Sequence, residues 1–297
     1  MELLYDKDKV IRGDLIKRAV LRSDLVPVPL TLEAEIRADR EVAQFLEVGQ
    51  SITTYIGDQL EIIKSEYVPS GKAQGGAEAA FVRLIAVLKP VQAVSFIKTH
   101  GIVRYNATLA EIYRAAGATL RSIEGDFAVS RFACLAGEVP TYHIARALQE
   151  AGGVVRWNQG RLGFVPLPAL FQQATYDSLP SHAADKVNSG FLERHEIPAF
   201  YSLDANGQFV FGNRNKPRAL RYQPGATETT LRNMTSCLVL TRTARYKYAP
   251  SVTAGMLFGI EGGSPLVVMT AASLWEAGTD GEPPNQYTKL WLGRFER

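Results

Sequence analysis

His195-Glu196-Ile197-Pro198-Ala199 opens like the helix of a zinc protease, in which two histidines one turn apart hold the metal and the glutamate serves as base. Pro198 breaks that helix and Ala199 stands where the second histidine must be, so the chemistry fails at the level of residue type. Gly262-Gly263-Ser264-Pro265-Leu266 sets a serine beside glycines but carries Pro and Leu where a nucleophile elbow needs Gly, and it reads as a tight β turn. Gly71-Lys72 lacks both the leading spacing and the trailing Ser or Thr of a phosphate loop. His100, His143, His182 and His195 are scattered, and each reads as surface or structural. Cys134 and Cys237, each inside an apolar strand pattern, read as buried free thiols and exclude a disulfide framework. No catalytic residue, metal site or cofactor is expected from these positions.

Two charged groups remain as binding candidates. Thr31, Glu33, Glu35 and Arg37 fall on one side of an alternating strand, where they could line a pore, sit at an intersubunit seam or form a wet outer face. Arg214, Lys216, Arg218 and Arg221 cluster around Pro217 and could meet phosphates or a carboxylate-rich neighbour. A solvated loop is the favoured reading of that cluster, because no interleaved aromatic residues are evident there to stack on bases.

The elements that carry these groups are mostly strands. Leu30, Leu32, Ala34 and Ile36 alternate with the polar set above, which is the period of a half-buried strand. Phe81 to Leu88 is apolar at nearly every position and predicts a strand covered on both faces. Pro69 to Glu78 has no apolar side chain larger than alanine and predicts a long hairpin tip. In the middle third, Thr108 and Glu111 form a capping box ahead of Leu109, Ile112, Tyr113 and Ala116, with Gly117 as the stop. A strand over Phe127 to Leu135, a helix opened by Pro140 and ended by Gly152-Gly153, and a hairpin turning at Asn158-Gln159-Gly160 complete a small α+β module. Gln172 to Asn188 is polar and reads as a crossing back to β structure, followed by a hairpin around Asp204-Ala205-Asn206-Gly207. Trp157, Trp275 and Trp291 sit in strand patterns and are assigned to packing.

The two ends of the chain repeat one order. Val28 to Arg37, Val48 to Ile52, Leu60 to Lys64 and Phe81 to Leu88 are matched by Ser236 to Arg245, Ala254 to Phe258, Leu266 to Ala272 and Gln286 to Phe295. Each second member carries a glycine near its start, and a Gly-rich or Gly- and Pro-rich loop precedes each fourth member. Such a repeat predicts pseudo-symmetric construction. With 297 residues, 46% of them hydrophobic, the chain has room for two or three domains, set here at 1–97, 98–185 and 186–297. Its net charge of +3 is distributed as a slight acidic excess in the first segment and a basic one in the last. No apolar run reaches the roughly 20 residues of a membrane helix, and a cytosolic site of synthesis without membrane insertion is expected.

Ala107-Thr108-Leu109-Ala110-Glu111-Ile112-Tyr113-Arg114-Ala115-Ala116-Gly117 resembles the Thr-Leu-x-x-Ile helix of phage baseplate hub proteins. Ile144 to Gly153 followed by Gly160-Arg161-Leu162 is similar to the same family's Gly-ended helix and the hairpin after it. That family includes the late control D proteins and the N-terminal part of type VI secretion spikes. Gly137-Glu138-Val139-Pro140 is only a partial counterpart of its acidic lead-in. The resemblance implies a mainly β fold with an α+β insert, in which two tube-like β-barrel domains flank a small α+β module. It implies a non-enzymatic homotrimer at the baseplate of a virion tail, assembled in the host bacterial cytoplasm. Its partners would be a tail tube or distal tail ring, a tip or spike protein and the tape measure, with DNA passing through the lumen. Some relatives bind an iron–sulfur cluster, but two cysteines cannot supply four thiolates, so none is expected here. Two other classes stay open on the residues: a tail-associated hydrolase acting on cell wall, and a receptor- or carbohydrate-binding β protein with an aromatic groove.

Overall fold

In the computed structural model, the described residues are 3–5, 9–38, 40–72, 78–186, 198–214, 218–278 and 283–296. The chain opens with β1 (Leu3–Tyr5), β2 (Lys9–Ile11), β3 (Ile16–Asp24), β4 (Leu30–Arg37), the short helix α1 (Arg40–Ala43), β5 (Ser51–Thr54), β6 (Gln59–Lys72) and β7 (Glu78–Leu88). The middle holds β8 (Ile102–Thr108), α2 (Leu109–Ala115), β9 (Ala128–Cys134), α3 (Pro140–Glu150), β10 (Gly153–Asn158), β11 (Arg161–Pro166), β12 (Thr175–Leu179) and β13 (Ala184–Lys186). The last part holds β14 (Ala199–Leu203), β15 (Phe209–Phe211), β16 (Leu220–Tyr222), α4 (Glu228–Thr235), β17 (Cys237–Tyr246), β18 (Leu257–Ile260), β19 (Leu266–Glu276) and β20 (Asn285–Glu296).

The fold is mainly β. Strands from both ends join in one 13-stranded sheet, ordered β13-β17-β20-β19-β3-β4-β7-β6-β5-β1-β2, with β18 between β19 and β12. β3 is the joint, pairing with β19 on one side and β4 on the other. Either side of it the connectivity is the same: first strand, fourth, third, second, as β4-β7-β6-β5 and β17-β20-β19-β18. Among the described residues the ladders branch at β19, which pairs with β20, β3 and β18, and close into no ring.

The likeness extends to individual bonds. Gly49 N donates to Ile62 O at 2.8 Å and Ile62 N to Gln50 O at 2.9 Å; Gly255 N donates to Val268 O at 2.8 Å and Val268 N to Met256 O at 2.8 Å. One constant sequence offset carries each member of the first set onto the second. Both glycines are left-handed, with φ of 88° and 92°, where a side chain would be strained. The same offset carries the bulge at Ile63 onto the bulge at Met269. It also superposes the cores, matching buried Ile52 with Phe258, Leu60 with Leu266, Ile62 with Val268, Leu84 with Leu290 and Ala86 with Leu292.

The expected capping box of α2 is present, with Glu111 N donating to Thr108 Oγ1 at 3.3 Å and Thr108 N to Glu111 Oε2 at 2.8 Å. Such a cap contributes about 1 kcal/mol. Tyr113, wholly buried on this helix, donates its hydroxyl to Pro27 O at 2.9 Å, so the α+β module shares a core with the first β unit. The β10–β11 hairpin turns through left-handed Gln159 and Gly160 as the sequence predicts.

Three readings change. β7 is not covered on both faces along its length: Val82, Leu84 and Ala86 are buried, whereas Arg83 is exposed and Phe81 and Ile85 are half-buried. Its outward apolar residues line an open sheet face instead. The polar stretch after Gln172 is not a bare crossing, because β12 pairs in parallel with β18 and β13 pairs with β17. Thr175 to Ser178 are all exposed and only Leu179 is buried, so no alternation betrayed the strand. Finally, the predicted hairpin β14–β15 stands outside the large sheet, in a three-stranded sheet with β16, backed by the unanticipated helix α4 through Phe200, Leu231 and Met234. The hairpin after Pro69 is formed, with Lys72 opposite Glu78, and its apex lies outside the described residues.

Candidate functional site

β4 presents Thr31, Glu33, Glu35 and Arg37 on one face because its alternate residues Leu30, Leu32, Ala34 and Ile36 are held in the core. Glu33 and Arg37 are exposed, Thr31 and Glu35 half-buried. Glu35 lies between Lys17 Nζ at 3.0 Å and Arg83 Nε at 3.6 Å. Lys17 and Arg37 both face the ring of Phe81, at 4.8 and 5.7 Å from its centroid. On β3, Arg18 stands opposite Glu35 and reaches Glu276 at 3.3 Å, while Arg22 stands opposite Thr31 and pairs with Asp24 at 2.7 Å. Glu33 borders a shallow depression of about 260 Å³ with Lys64, Glu66 and Arg83. The face is therefore a lattice of mixed charge rather than a uniformly acidic surface.

The equivalent face of the second unit inverts the sign. Through the ladders, Glu33 opposite Ile85 corresponds to Thr243 opposite Trp291, and Glu35 opposite Arg83 to Arg245 opposite Lys289. Two cations thus sit side by side where the first unit has an ion pair. Each is parked on an aromatic ring: Arg245 lies 4.0 Å from the Tyr287 centroid and donates to Asn285 Oδ1 at 2.6 Å, and Lys289 lies 5.1 Å from that of Trp291.

The described members of the basic cluster differ in their surroundings. The side chain of Arg218 is buried, at 4% exposure, with Nη1 donating to Thr235 O at 3.1 Å and Nη2 3.9 Å from Glu296 Oε2. Its guanidinium fastens the end of α4 to the end of β20 and is withdrawn from any contact surface. Arg214 stacks over Phe211 at 4.3 Å, Arg221 is exposed beside α3, and Lys216 lies outside the described residues. The expected absence of nearby aromatic rings is also corrected. Pairing of Tyr201 with Phe211 and Tyr222, and of Leu203 with Phe209, assembles one aromatic face on the small sheet. Tyr201 lies 5.7, 6.0 and 5.4 Å from Phe209, Phe211 and Tyr222, and Phe209 is 65% exposed. The signal was the parity of Phe209 and Phe211 around Val210, which becomes informative only once the strand partners are known.

Of the motifs tested for chemistry, Gly262-Gly263-Ser264 is the tight turn anticipated, closed by Gly263 N to Ile260 O at 2.9 Å. His195, Glu196 and Ile197 lie outside the described residues. His100 is exposed beside Thr99, and His182 is exposed. Cys134 is buried as expected, but Cys237 only half so. Trp157 is buried and donates to Asp58 Oδ1 at 2.7 Å. Burial raises the Asp58 carboxyl above its ordinary value of 3.8, and the Trp157 bond opposes that shift. No helix among the described residues is long and apolar enough to cross a membrane.

No family model matches the sequence. No curated protein matches it either. Solved structures do. The 43 kDa tail protein of prophage MuSo2 from Shewanella oneidensis aligns with a TM-score of 0.62 at 13% identity, over 99% of this chain and 97% of that one. The tail protein from Neisseria meningitidis MC58 aligns with a TM-score of 0.59 at 12% identity, over 94% and 92%. The E. coli c3393 protein, a type VI secretion component described as similar in structure to the T4 tail proteins gp27 and gp5, aligns with a TM-score of 0.55 at 9% identity, over 93% and 73%. The chain has the fold of these phage tail and type VI secretion proteins.

Proposed function

We propose that this chain is a structural, non-enzymatic subunit of a phage tail, the baseplate hub that closes the tail tube as a homotrimeric symmetry adaptor. The observation that carries the reading is the repeat of β4 to β7 in β17 to β20, matched in strand order throughout and in hydrogen bonds and a bulge around the third strand. A chain holding two equivalent β units, taken three times around an axis, offers six similar positions to a sixfold tube above and threefold symmetry below. In this reading segments 1–97 and 186–297 close as tube-like barrels when neighbouring copies complete their edges, and 98–185 is the insert between them. Unpaired strand edges then serve assembly rather than aggregation.

The conduit would pass DNA and tape measure, with a tail tube or distal ring above and a tip or spike below. Lumen placement of Thr31, Glu33, Glu35 and Arg37 gives alternating bands, because the second unit offers Arg245 and Lys289 at the matching positions. Carboxylates in half of the positions repel the phosphate backbone, and cations held on aromatic rings are partly satisfied before DNA arrives. Counting copies per tail by quantitative mass spectrometry tests the adaptor, with three expected and six contradicting it. Converting Glu33 and Glu35 to lysine should slow or block DNA delivery, and normal infectivity in that variant argues against lumen placement.

A second reading, a carbohydrate-binding surface, is favoured by the exposed rings of Phe209 and Tyr222 on either side of half-buried Tyr201. It predicts that soluble cell-wall or surface glycan quenches or shifts aromatic fluorescence, an effect lost in Phe209→Ala. No such response at saturating glycan would overturn this second reading.

A further inference from the structure

We propose that Cys134, Glu138 and His143 form a zinc-binding site that pins the end of β9 to the first turn of α3. Their ligand atoms, a thiol sulfur, a carboxylate oxygen and an imidazole nitrogen, all lie within 4.8 Å of one another. Around one zinc ion, with bonds of about 2.0 to 2.3 Å, ligand atoms stand roughly 3.5 Å apart, so small side-chain rotations close the set. A thiolate with an imidazole selects zinc over calcium or magnesium, which prefer all-oxygen shells.

The backbone holds the three ligands ready. Cys134 ends a strand whose partner at that position is Ile102, and His143 is carried by a helix opened by Pro140. Between them the loop is tied down: Gly137, left-handed at φ 86°, donates to Lys98 O at 2.8 Å, Lys98 N donates to Glu138 O at 3.1 Å, and Glu138 N donates to Leu135 O at 3.1 Å. Glu138 Oε2 accepts from Leu135 N at 2.6 Å and lies 3.0 Å from His143 Nε2. Both contacts fall on Oε2, which leaves Oε1 for an ion. Lys98, whose backbone ties down this loop, donates its ammonium to Ala93 O at 2.7 Å.

Two of the three ligands meet solvent. His143 lines a groove of about 660 Å³ between β9, α3 and Gln223 to Thr230, and the Glu138 side chain is 42% exposed. Three protein ligands leave a fourth position for water or for a group from an adjoining chain. Sequence spacing alone concealed the set, since it joins a strand end, a loop and a helix.

The test uses the full chain equilibrated with zinc, desalted, and assayed for metal by mass spectrometry, in parallel with cobalt titration. One zinc per chain is expected, with a thiolate-to-cobalt charge-transfer band that vanishes in Cys134→Ser. His143→Gln and Glu138→Gln, at less buried positions, should each weaken zinc at least about 10-fold, and they carry the test if the cysteine variant misfolds. Failure of the wild-type chain to retain zinc and to give the cobalt band would overturn the site, as would equal retention by all three variants.

Discussion

The two β units share one backbone plan and differ in what they do with its outer surface. At one pair of matching positions the first unit has Ser51 and Lys89, with Lys89 Nζ donating to Ser51 Oγ at 2.8 Å. The second has Leu257 and Phe295, packed in a cluster with Leu167, Leu170 and Val267 from the 3-10 turn Leu167–Phe171 and β19. Another matched pair is Asp58, buried under Trp157, and Ser264, exposed in a turn. The lesson is that pattern and register define the unit, whereas its outward residues record which neighbour covers it. In the second unit that neighbour is the chain's own insert, packed on the outer residues of β18 and β19. The insert's α2 and Trp157 instead join the core of the first unit, and its β4 face remains open.

Exchanging residues between the units should break this comparison most severely at the covered positions. Leu257→Ser, which copies the first unit's residue into the second, strands a hydroxyl in an apolar cluster and should cost about 3 to 5 kcal/mol. The reciprocal Ser51→Leu should change stability by less than about 0.5 kcal/mol, as for most surface substitutions. Midpoints of urea unfolding for the two variants measure the contrast directly, and equal losses would refute it.

The matched glycines offer a second contrast. A Cβ on Gly49 meets nothing within 4 Å, whereas one on Gly255 stands 3.0 Å from Arg156 Cδ and 3.5 Å from Leu25 Cδ2. Gly49→Val should therefore lose only the left-handed strain of about 1 to 2 kcal/mol, and Gly255→Val roughly 2 to 4 kcal/mol once crowding is added. Thermal unfolding of both would rank them.

A smaller effect separates Asp58 from its counterpart Ser264. A carboxyl whose folded value is raised holds its proton more tightly in the folded state, so its charge costs stability at neutral pH. That cost vanishes as pH falls through the raised value to 3.8. Asp58→Asn, which keeps an acceptor for Trp157, should be more stable than the parent near pH 7, with the difference closing on acidification. A difference that widens toward low pH would reverse the assignment. The smallest effect belongs to the open face: Glu35→Gln should cost only about 0.2 to 1 kcal/mol, removable by salt, because Lys17 and Arg83 are themselves solvated.

Much of the architecture was legible before any coordinates. Alternation located β4 and β17, the Thr108 and Glu111 pair located α2, and the repeat of strand order anticipated the shared connectivity. What escaped was set by partners distant in sequence. β12 is exposed on nearly every residue and owes its conformation to β18, and the joining role of β3 depends on pairings with both halves of the chain. The candidate sites were harder to read. Glu35 is visible in the sequence, yet its cations come from β3 and β7; Arg218 looks like a surface arginine until Glu296 and Thr235 close around it. The aromatic face exists only as a product of cross-strand register.

We propose that both β units occupy equivalent places around one channel. Electron cryomicroscopy of tails containing this chain tests it most directly. The prediction is a ring of three chains in which β4 to β7 and β17 to β20 alternate around the axis as six similar positions. A ring in which only one of the units borders the channel, or a particle with the chain bound peripherally, would contradict it.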